Sequence, residues 1–121
     1  MKWADLLFNP SDDDLHFIAS QASNTPVRSS TVLDAQVGRI IRIKDETVQR
    51  SGSFKFRGAV LGVRNAERGV VAAGAGNFPI AVGLAAQALN KPACLVMPSD
   101  VPAFKREQAQ KTGAEIKIAE R

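Results

Sequence analysis

The 121-residue sequence has few of the residues that disulfides and metal sites require. Cys94 is its single cysteine, so the chain can form neither an internal disulfide nor a cysteine cluster around a metal ion. His16 is its single histidine, which excludes a site with several histidine ligands and leaves no obvious catalytic dyad. We expect Cys94 to be a small packed core residue in a buried strand, and His16 to be exposed or half-buried on a helix.

The sequence also lacks long apolar runs and concentrated charge. No apolar segment approaches the length that crosses a bilayer, and residues 12–14 are acidic where a signal peptide would continue its apolar stretch. The net charge is +4, with basic residues dispersed among acidic ones instead of forming a stripe, which argues against nucleic acid as a partner. We therefore expect a cytoplasmic protein that binds neither membranes nor nucleic acids.

Hydrophobic residues make up 45% of the chain, and their spacing predicts helices that alternate with strands. Strands separated by helices of about a dozen residues predict βαβ units around a parallel sheet. The sequence stops as its last strand begins, so we expect one edge or face of the sheet to be covered by a partner or by a longer chain. The first predicted helix follows an N-cap cluster at 11–14 and ends before residue 24, and the other predicted helices are at 54–68, 77–89 and 101–112. The predicted strands are at 39–44, 92–98 and 114–119, and the segment 70–76 is predicted to be a strand followed by a glycine turn.

Lys55 stands between two phenylalanines, directly after a Ser-Gly-Ser turn, in the stretch RSGSFKFRGA at 50–59. One explanation is a solvated helix lysine whose aliphatic stem covers an aromatic neighbour. The other is a desolvated amine, the state that attacks an aldehyde to form a Schiff base. Phe54 and Phe56, as dry surroundings, and Arg57, as a neighbouring positive charge, favour the second explanation because both disfavour a charged ammonium.

A second candidate site is Gly74-Ala-Gly-Asn77, between a predicted strand and a predicted helix. Glycines allow successive backbone N–H groups to face an anion, and a helix N-terminus adds partial positive charge. The dinucleotide-binding fingerprint fails because Pro79 stands where its third glycine belongs. The turn therefore predicts a binding loop for a carboxylate or a small phosphate, and argues against a nucleotide-binding half-domain.

Four blocks, in the order of the family, make the sequence resemble the fold-type II pyridoxal phosphate enzymes, which include threonine and serine dehydratases and serine racemase. SFKFRGA is the most specific part of the resemblance. The blocks are TPV at 25–27, IKDETVQRSGSFKFRGA at 43–59, VVAAGAGN at 70–77 with VGLAA at 82–86, and PACLVMPSDVPAFKREQAQKTGAEI at 92–116.

The resemblance implies an α/β fold with parallel-sheet βαβ units, similar to the β subunit of tryptophan synthase and incomplete in this chain. Residues 1–68 would form the amino-terminal part of the large cofactor domain. Residues 69–121 would begin the small three-layer α/β domain. The chain would cover the first third of a typical member and would lack the later glycine-rich loop that holds the cofactor phosphate.

The resemblance also implies roles for individual residues. Lys55 would bind pyridoxal 5'-phosphate as a Schiff base and remove the α-proton of an amino-acid substrate. Phe54 would pack against the cofactor ring, and Asn77 would hydrogen-bond to the ring hydroxyl. The backbone of the 74–78 loop would hold the substrate carboxylate. The implied substrate-binding residues are Ser53, Gly74, Ala75, Gly76, Asn77 and Phe78.

The implied reaction is β-elimination from a hydroxy amino acid, which yields a 2-oxo acid and ammonia. Gly74, Phe78 and Ile80 replace the serine, histidine and glutamine usual in dehydratases, which weakens threonine or serine as the expected substrate. Ala75 replaces the serine that racemases of the family use on the opposite face, so elimination is favoured over racemisation.

Two hypotheses about the whole molecule follow. In the first, the chain is a fragment or split subunit of a lyase, nearly inactive alone, and acts as a homo-oligomer or with a complementary carboxyl-terminal part. In the second, it is a catalytically inactive, truncated binding or interaction module of the same fold, pairing through its open sheet edge.

Overall fold

The computed structural model describes residues 9–120. Helices and strands alternate as the apolar spacing predicts, with one short helix and one short strand in addition. The helices are α1 (Asp12–Gln21), α2 (Thr31–Val37), α3 (Lys55–Asn65), α4 (Asn77–Ala88) and α5 (Ala103–Gln110), and a 3-10 turn covers Glu46–Val48. The strands are β1 (Val27–Arg28), β2 (Ile43–Lys44), β3 (Val70–Ala73), β4 (Ala93–Pro98) and β5 (Glu115–Ala119). No helix within 9–120 is long and apolar enough to cross a membrane.

The first helix begins where the sequence predicts, because a capping box closes its N-terminus. The Ser11 hydroxyl accepts a hydrogen bond from the Asp14 N–H at 3.2 Å, and the Asp14 carboxylate accepts one from the Ser11 N–H at 2.9 Å. Arg64 of α3 pairs with Asp13 and Asp14, and its guanidinium lies 4.6 Å from the ring centroid of Phe17. These contacts fix α1 against α3. His16, also on α1, is exposed as expected.

The predicted strand at 39–44 is wrong over most of its length. Only its last two residues form β2, which pairs antiparallel with β1. Asp34 explains the difference, since its carboxylate accepts the Ile41 N–H at 2.7 Å and so removes that group from any strand ladder. Asp34 belongs to α2, the helix that the sequence analysis missed, and the Ser30 hydroxyl caps this helix by accepting the Leu33 N–H.

The parallel sheet is confirmed: β3, β4 and β5 pair in parallel and in that spatial order. Side chains alternate between the two faces of a strand. On one face, Ala72, Leu95 and Met97 are buried in a core that includes residues of α3, α4 and α5. This core contains residues from both sides of the 68/69 boundary, and the division into two domains stays a prediction.

The opposite face of the sheet is open among residues 9–120. Val71 is 75% exposed, Lys117 is exposed, and Cys94 and Val96 are half-buried. This face is bare within the described residues, and its coverage by a partner or by a longer chain stays a prediction. The prediction that Cys94 is a packed core residue is wrong, because the sheet register places it beside Val71 on this open face.

A clamp made by Lys91 aligns α3 with α4. Its ammonium donates to the carbonyls of Val63, Arg64 and Ala66 at 3.0, 2.7 and 2.6 Å. Lys91 follows the end of α4, so the clamp ties together the carboxyl-terminal ends of the two helices. The helices have 11 and 12 residues and pack against each other. Their amino-terminal ends, at Lys55 and Asn77, therefore share the opposite end, beyond the carboxyl end of β3.

Candidate active site

Lys55 is the first residue of α3, at the end of the helix that faces away from the Lys91 clamp. Its side chain is half-buried, and its Nζ lies 5.8 Å from the centroid of the Phe54 ring. Within the described part of the chain, no hydrogen bond or ion pair engages this amine. The structure thus leaves the Lys55 nitrogen available for reaction.

The two phenylalanines beside Lys55 have opposite environments. Phe56 is 0% exposed and belongs to the core, whereas Phe54 is 66% exposed. Residues two apart on a helix point to different sides, so both rings cannot line the same dry pocket. The prediction of dry surroundings for Lys55 is wrong for Phe54; for Phe56 it stays a prediction, since the structure shows only that this ring is buried in the core. The exposed ring remains accessible to a planar ligand.

Arg57 does not act on Lys55 as an uncompensated charge, contrary to the sequence-based interpretation. Its guanidinium donates to the Glu46 carboxylate at 2.7 and 3.1 Å and to the Thr25 hydroxyl at 3.1 Å. The Thr25 hydroxyl in turn donates to Glu46 at 2.5 Å. This network, which the sequence analysis missed, joins the 25–27 block to the 43–59 block and braces the turn that precedes Lys55.

The bonds from Arg57, above all, lower the pKa of Glu46 from 4.5 to about 2. Because the pKa of Glu46 is lower in the folded than in the unfolded chain, its ionised carboxylate stabilises the fold. This contribution is fully present above pH 4.5 and is lost as the pH falls towards 2. We expect Glu46→Gln to lower the free energy of unfolding at pH 7 by about 2 kcal/mol, and its difference from the wild type to shrink between pH 5 and pH 2.

Urea unfolding at several pH values measures this effect. Glu67→Gln is the control, because Glu67 is exposed and forms no hydrogen bond or ion pair within residues 9–120. If the difference in the free energy of unfolding between Glu46→Gln and the wild type stays constant down to pH 2, the ionised Glu46 carboxylate is not the source of the stabilisation.

Ser53 provides the clearest sign of a missing ligand at this end of α3. Its hydroxyl oxygen is buried and has no hydrogen-bond partner among residues 9–120. Leaving a buried polar group unsatisfied costs about 1–3 kcal/mol. A polar ligand next to Lys55 would satisfy this hydroxyl, so Lys55 and Ser53 together fit an aldehyde ligand that carries a polar group.

The 74–76 turn leads from β3 into α4 with its first helical N–H groups uncapped. Gly74 has φ of +150°, a conformation that side chains rarely adopt. Gly76 occupies the N-cap position and offers no side chain to the helix. The Gly74 N–H donates to the Val96 carbonyl at 3.0 Å and is not available to a ligand. Of the backbone donors in the predicted anion-binding loop, only the N–H groups of residues 75–78 therefore stay available to a ligand.

Asn77 begins α4, and its carboxamide has a partner that the sequence analysis missed. Its Oδ1 accepts a hydrogen bond from the Lys105 Nζ at 2.5 Å. Lys105 lies in the first turn of α5, where the helix dipole disfavours a cation. That unfavourable position is the sequence signal that could have pointed to a role for Lys105.

The structure thus brings most of the predicted site residues to one end of the molecule. Ser53, Phe54 and Lys55 lie at the start of α3, and the 74–78 segment lies at the start of α4. Phe78 is about half exposed and lines an apolar groove together with Gly58, one turn after Lys55. Ala75 is exposed beside them and carries no hydroxyl.

The family described as "Pyridoxal-phosphate dependent enzyme" has a model that matches residues 18–121. An L-threo-3-hydroxyaspartate ammonia-lyase of Pseudomonas sp is 44% identical over 105 residues, which are 83% of this chain and 33% of that protein. A serine racemase of Oryza sativa subsp. indica is 40% identical, covering 82% of this chain and 31% of that protein. The structure of maize serine racemase superposes with a TM-score of 0.85 at 36% identity, covering 90% of this chain and 35% of that one.

These matches confirm the predicted family and the predicted fold-type II α/β architecture, present here as a partial domain. The chain spans about a third of the length of the relatives that it matches. Since the match runs through the Lys55 block and continues to the last residue, the chain belongs to the pyridoxal-phosphate-dependent enzyme family, whose cofactor is pyridoxal phosphate.

Proposed function

We propose that this chain is the amino-terminal part of a lyase that eliminates water from a hydroxy amino acid and releases ammonia and a 2-oxo acid. The observation that carries the proposal is the shared end of α3 and α4. An unengaged lysine amine and an unsatisfied serine hydroxyl lie at the start of α3, and an uncapped helix N-terminus lies at the start of α4. Gly58 and Phe78, near these two helix starts, line one groove. Relatives named as ammonia-lyases of 3-hydroxyaspartate and of threonine support it.

Each group at this end has a distinct task in the proposal. Pyridoxal phosphate, when bound, supplies the conjugated ring that accepts electrons from the α-carbon of the substrate. Lys55 holds the cofactor aldehyde and then moves the proton at that α-carbon. The N–H groups of residues 75–78 bind the substrate carboxylate. Phe54 offers its exposed face to the cofactor ring, and the Ser53 hydroxyl donates to a ligand oxygen.

Ala75 favours elimination over racemisation, because its side chain has no group that can act as an acid or a base. A racemase needs a second acid or base on the face of the substrate opposite Lys55, and the Ala75 methyl group can neither donate nor accept a proton. Relatives named as serine racemases match this chain as well, so the two reactions must be separated by their products.

An assay of products tests the proposal. The chain is supplied with the carboxyl-terminal two-thirds that its relatives have, loaded with pyridoxal phosphate, and given L-serine, L-threonine and L-threo-3-hydroxyaspartate. We expect ammonia and a 2-oxo acid in equal amounts from at least one of them. An inverted amino acid without ammonia would instead identify a racemase, and a loaded protein that forms neither product would contradict the proposal.

The open face of the sheet supports a second candidate, a non-catalytic interaction module. Val71 exposes 75% of its surface there, in a chain that spans about a third of its relatives. Such a module would pair through this face with another copy or with a partner. Light scattering combined with a cofactor titration distinguishes the candidates: a chain that binds the cofactor, in any oligomeric state, favours the enzyme, and an oligomer that binds none favours the module.

A further inference from the structure

Lys105 occupies a position that is unfavourable for a cation. It is the third residue of α5, a helix whose N-cap, Pro102, provides no side-chain hydrogen bond. Partial positive charge accumulates at a helix N-terminus, so a lysine there needs a compensating interaction. The side chain is half-buried and points its ammonium at Asn77, which is 28 residues away in the sequence.

The contact between the Lys105 and Asn77 side chains is a short hydrogen bond in which only Lys105 can be the donor. The Lys105 Nζ lies 2.5 Å from the Asn77 Oδ1. An ammonium has three donors and no acceptor, so only the oxygen of a carboxamide can face it. The Asn77 oxygen is therefore turned towards α5, and the amide nitrogen, with its two N–H donors, is turned away. Among residues 9–120, no hydrogen bond uses that nitrogen.

We propose that Lys105 is a positioning residue that fixes the orientation of the Asn77 carboxamide, so that its Nδ2 donates to an acceptor atom of the bound ligand. Without the ammonium, the amide can rotate by half a turn and present its oxygen, which would repel a negatively charged acceptor. Because this inference rests on the proposed function, the acceptor is the ring hydroxyl oxygen of pyridoxal phosphate.

The first test needs no cofactor. In a ¹⁵N-labelled chain, the side-chain amide signals of Asn77, assigned with Asn77→Asp, report the hydrogen bond to its oxygen. We expect Lys105→Met to shift these signals towards those of exposed asparagines such as Asn24, and Lys105→Arg to preserve them, because a guanidinium also only donates. Lys111→Met, which changes an exposed lysine just after the same helix, should leave them unchanged.

The second test measures the cofactor itself, with the complemented protein. We expect Lys105→Met to weaken the binding of pyridoxal phosphate about tenfold, the equivalent of one hydrogen bond at 1.4 kcal/mol. It should also change the ratio of the two visible and near-ultraviolet absorption bands, because these report the ionisation of the ring hydroxyl. Lys105→Arg should restore both properties to within about twofold.

The two tests separate this inference from the proposed function. Asn77 signals that do not respond to Lys105→Met would overturn the positioning role, even if the enzyme is active. Signals that respond while the absorption ratio stays constant would overturn the link to the ring hydroxyl. A wild type that binds no cofactor would contradict the proposed function and leave the first test valid. If Lys105→Met does not fold, Lys105→Gln takes its place with the same expected results, since its amide no longer forces the Asn77 oxygen towards α5.

Discussion

Lys55→Ala is expected to abolish covalent attachment of pyridoxal phosphate in the complemented protein and to lower the rate of elimination by at least about 10²–10⁴-fold. The variant removes both the amine that holds the aldehyde and the base that moves the α-proton. Lys55 has a half-buried side chain that no other described residue engages by a hydrogen bond or ion pair. Its loss should therefore leave the fold unchanged.

Absorbance after borohydride reduction and mass spectrometry measure the attachment directly. The wild type should gain the mass of the reduced cofactor on the peptide that contains Lys55, and Lys55→Ala should gain none. Lys111→Ala is the control, because it removes an exposed lysine outside the candidate site and is expected to keep the label on Lys55. A label found on a different lysine in the wild type would overturn the assignment of Lys55.

Gly83→Ala is expected to destabilise the fold by about 2–3 kcal/mol, because α4 lies too close to the turn after α5 to accommodate a methyl group. A Cβ at residue 83 would lie 2.5 Å from the Thr112 Oγ1 and 2.9 Å from its Cβ. Thr112 is buried, and its hydroxyl donates to the Ala109 carbonyl at 2.6 Å. It cannot move aside without losing that bond.

Gly62→Ala is the matched control, since a Cβ there would meet no atom within 4 Å. It replaces glycine inside a helix with alanine, which should raise the free energy of unfolding by about 0.5–1 kcal/mol. Urea unfolding followed by circular dichroism gives both values. Equal effects from the two substitutions would show that the close approach of α4 to Thr112 does not limit the packing.

The sequence predicts the elements of this fold better than their contacts. A capping box specifies the start of α1, and the glycine turn followed by small apolar residues specifies α4, so both begin as predicted. The 39–44 segment has strand composition, yet Asp34 takes its Ile41 N–H. That competition depends on α2, a helix of only seven residues that the sequence analysis missed.

The same distinction holds within the site. The motif around Lys55 makes its amine a candidate from sequence alone, because the family resemblance resides in a continuous stretch. The partners of Arg57 and Asn77 are 11 and 28 residues away from them, and only the packing of the elements determines which charges meet. Sequence reasoning therefore assigned Arg57 to Lys55 and overlooked Lys105 entirely.

The Lys91 clamp holds α3 and α4 together at their carboxyl-terminal ends, far from Lys55 and Asn77 at the amino-terminal ends. Substitutions at the two ends can therefore accumulate independently in evolution. An α-helix of 11 residues is about 16 Å long, and effects of substitutions separated by more than about 10 Å usually add. Substitutions near the clamp then change the free energy of unfolding. In the proposed function, substitutions at Lys55 or Asn77 change which ligand the protein binds. A lineage with this arrangement can acquire a new substrate preference at one end and recover the lost stability at the other.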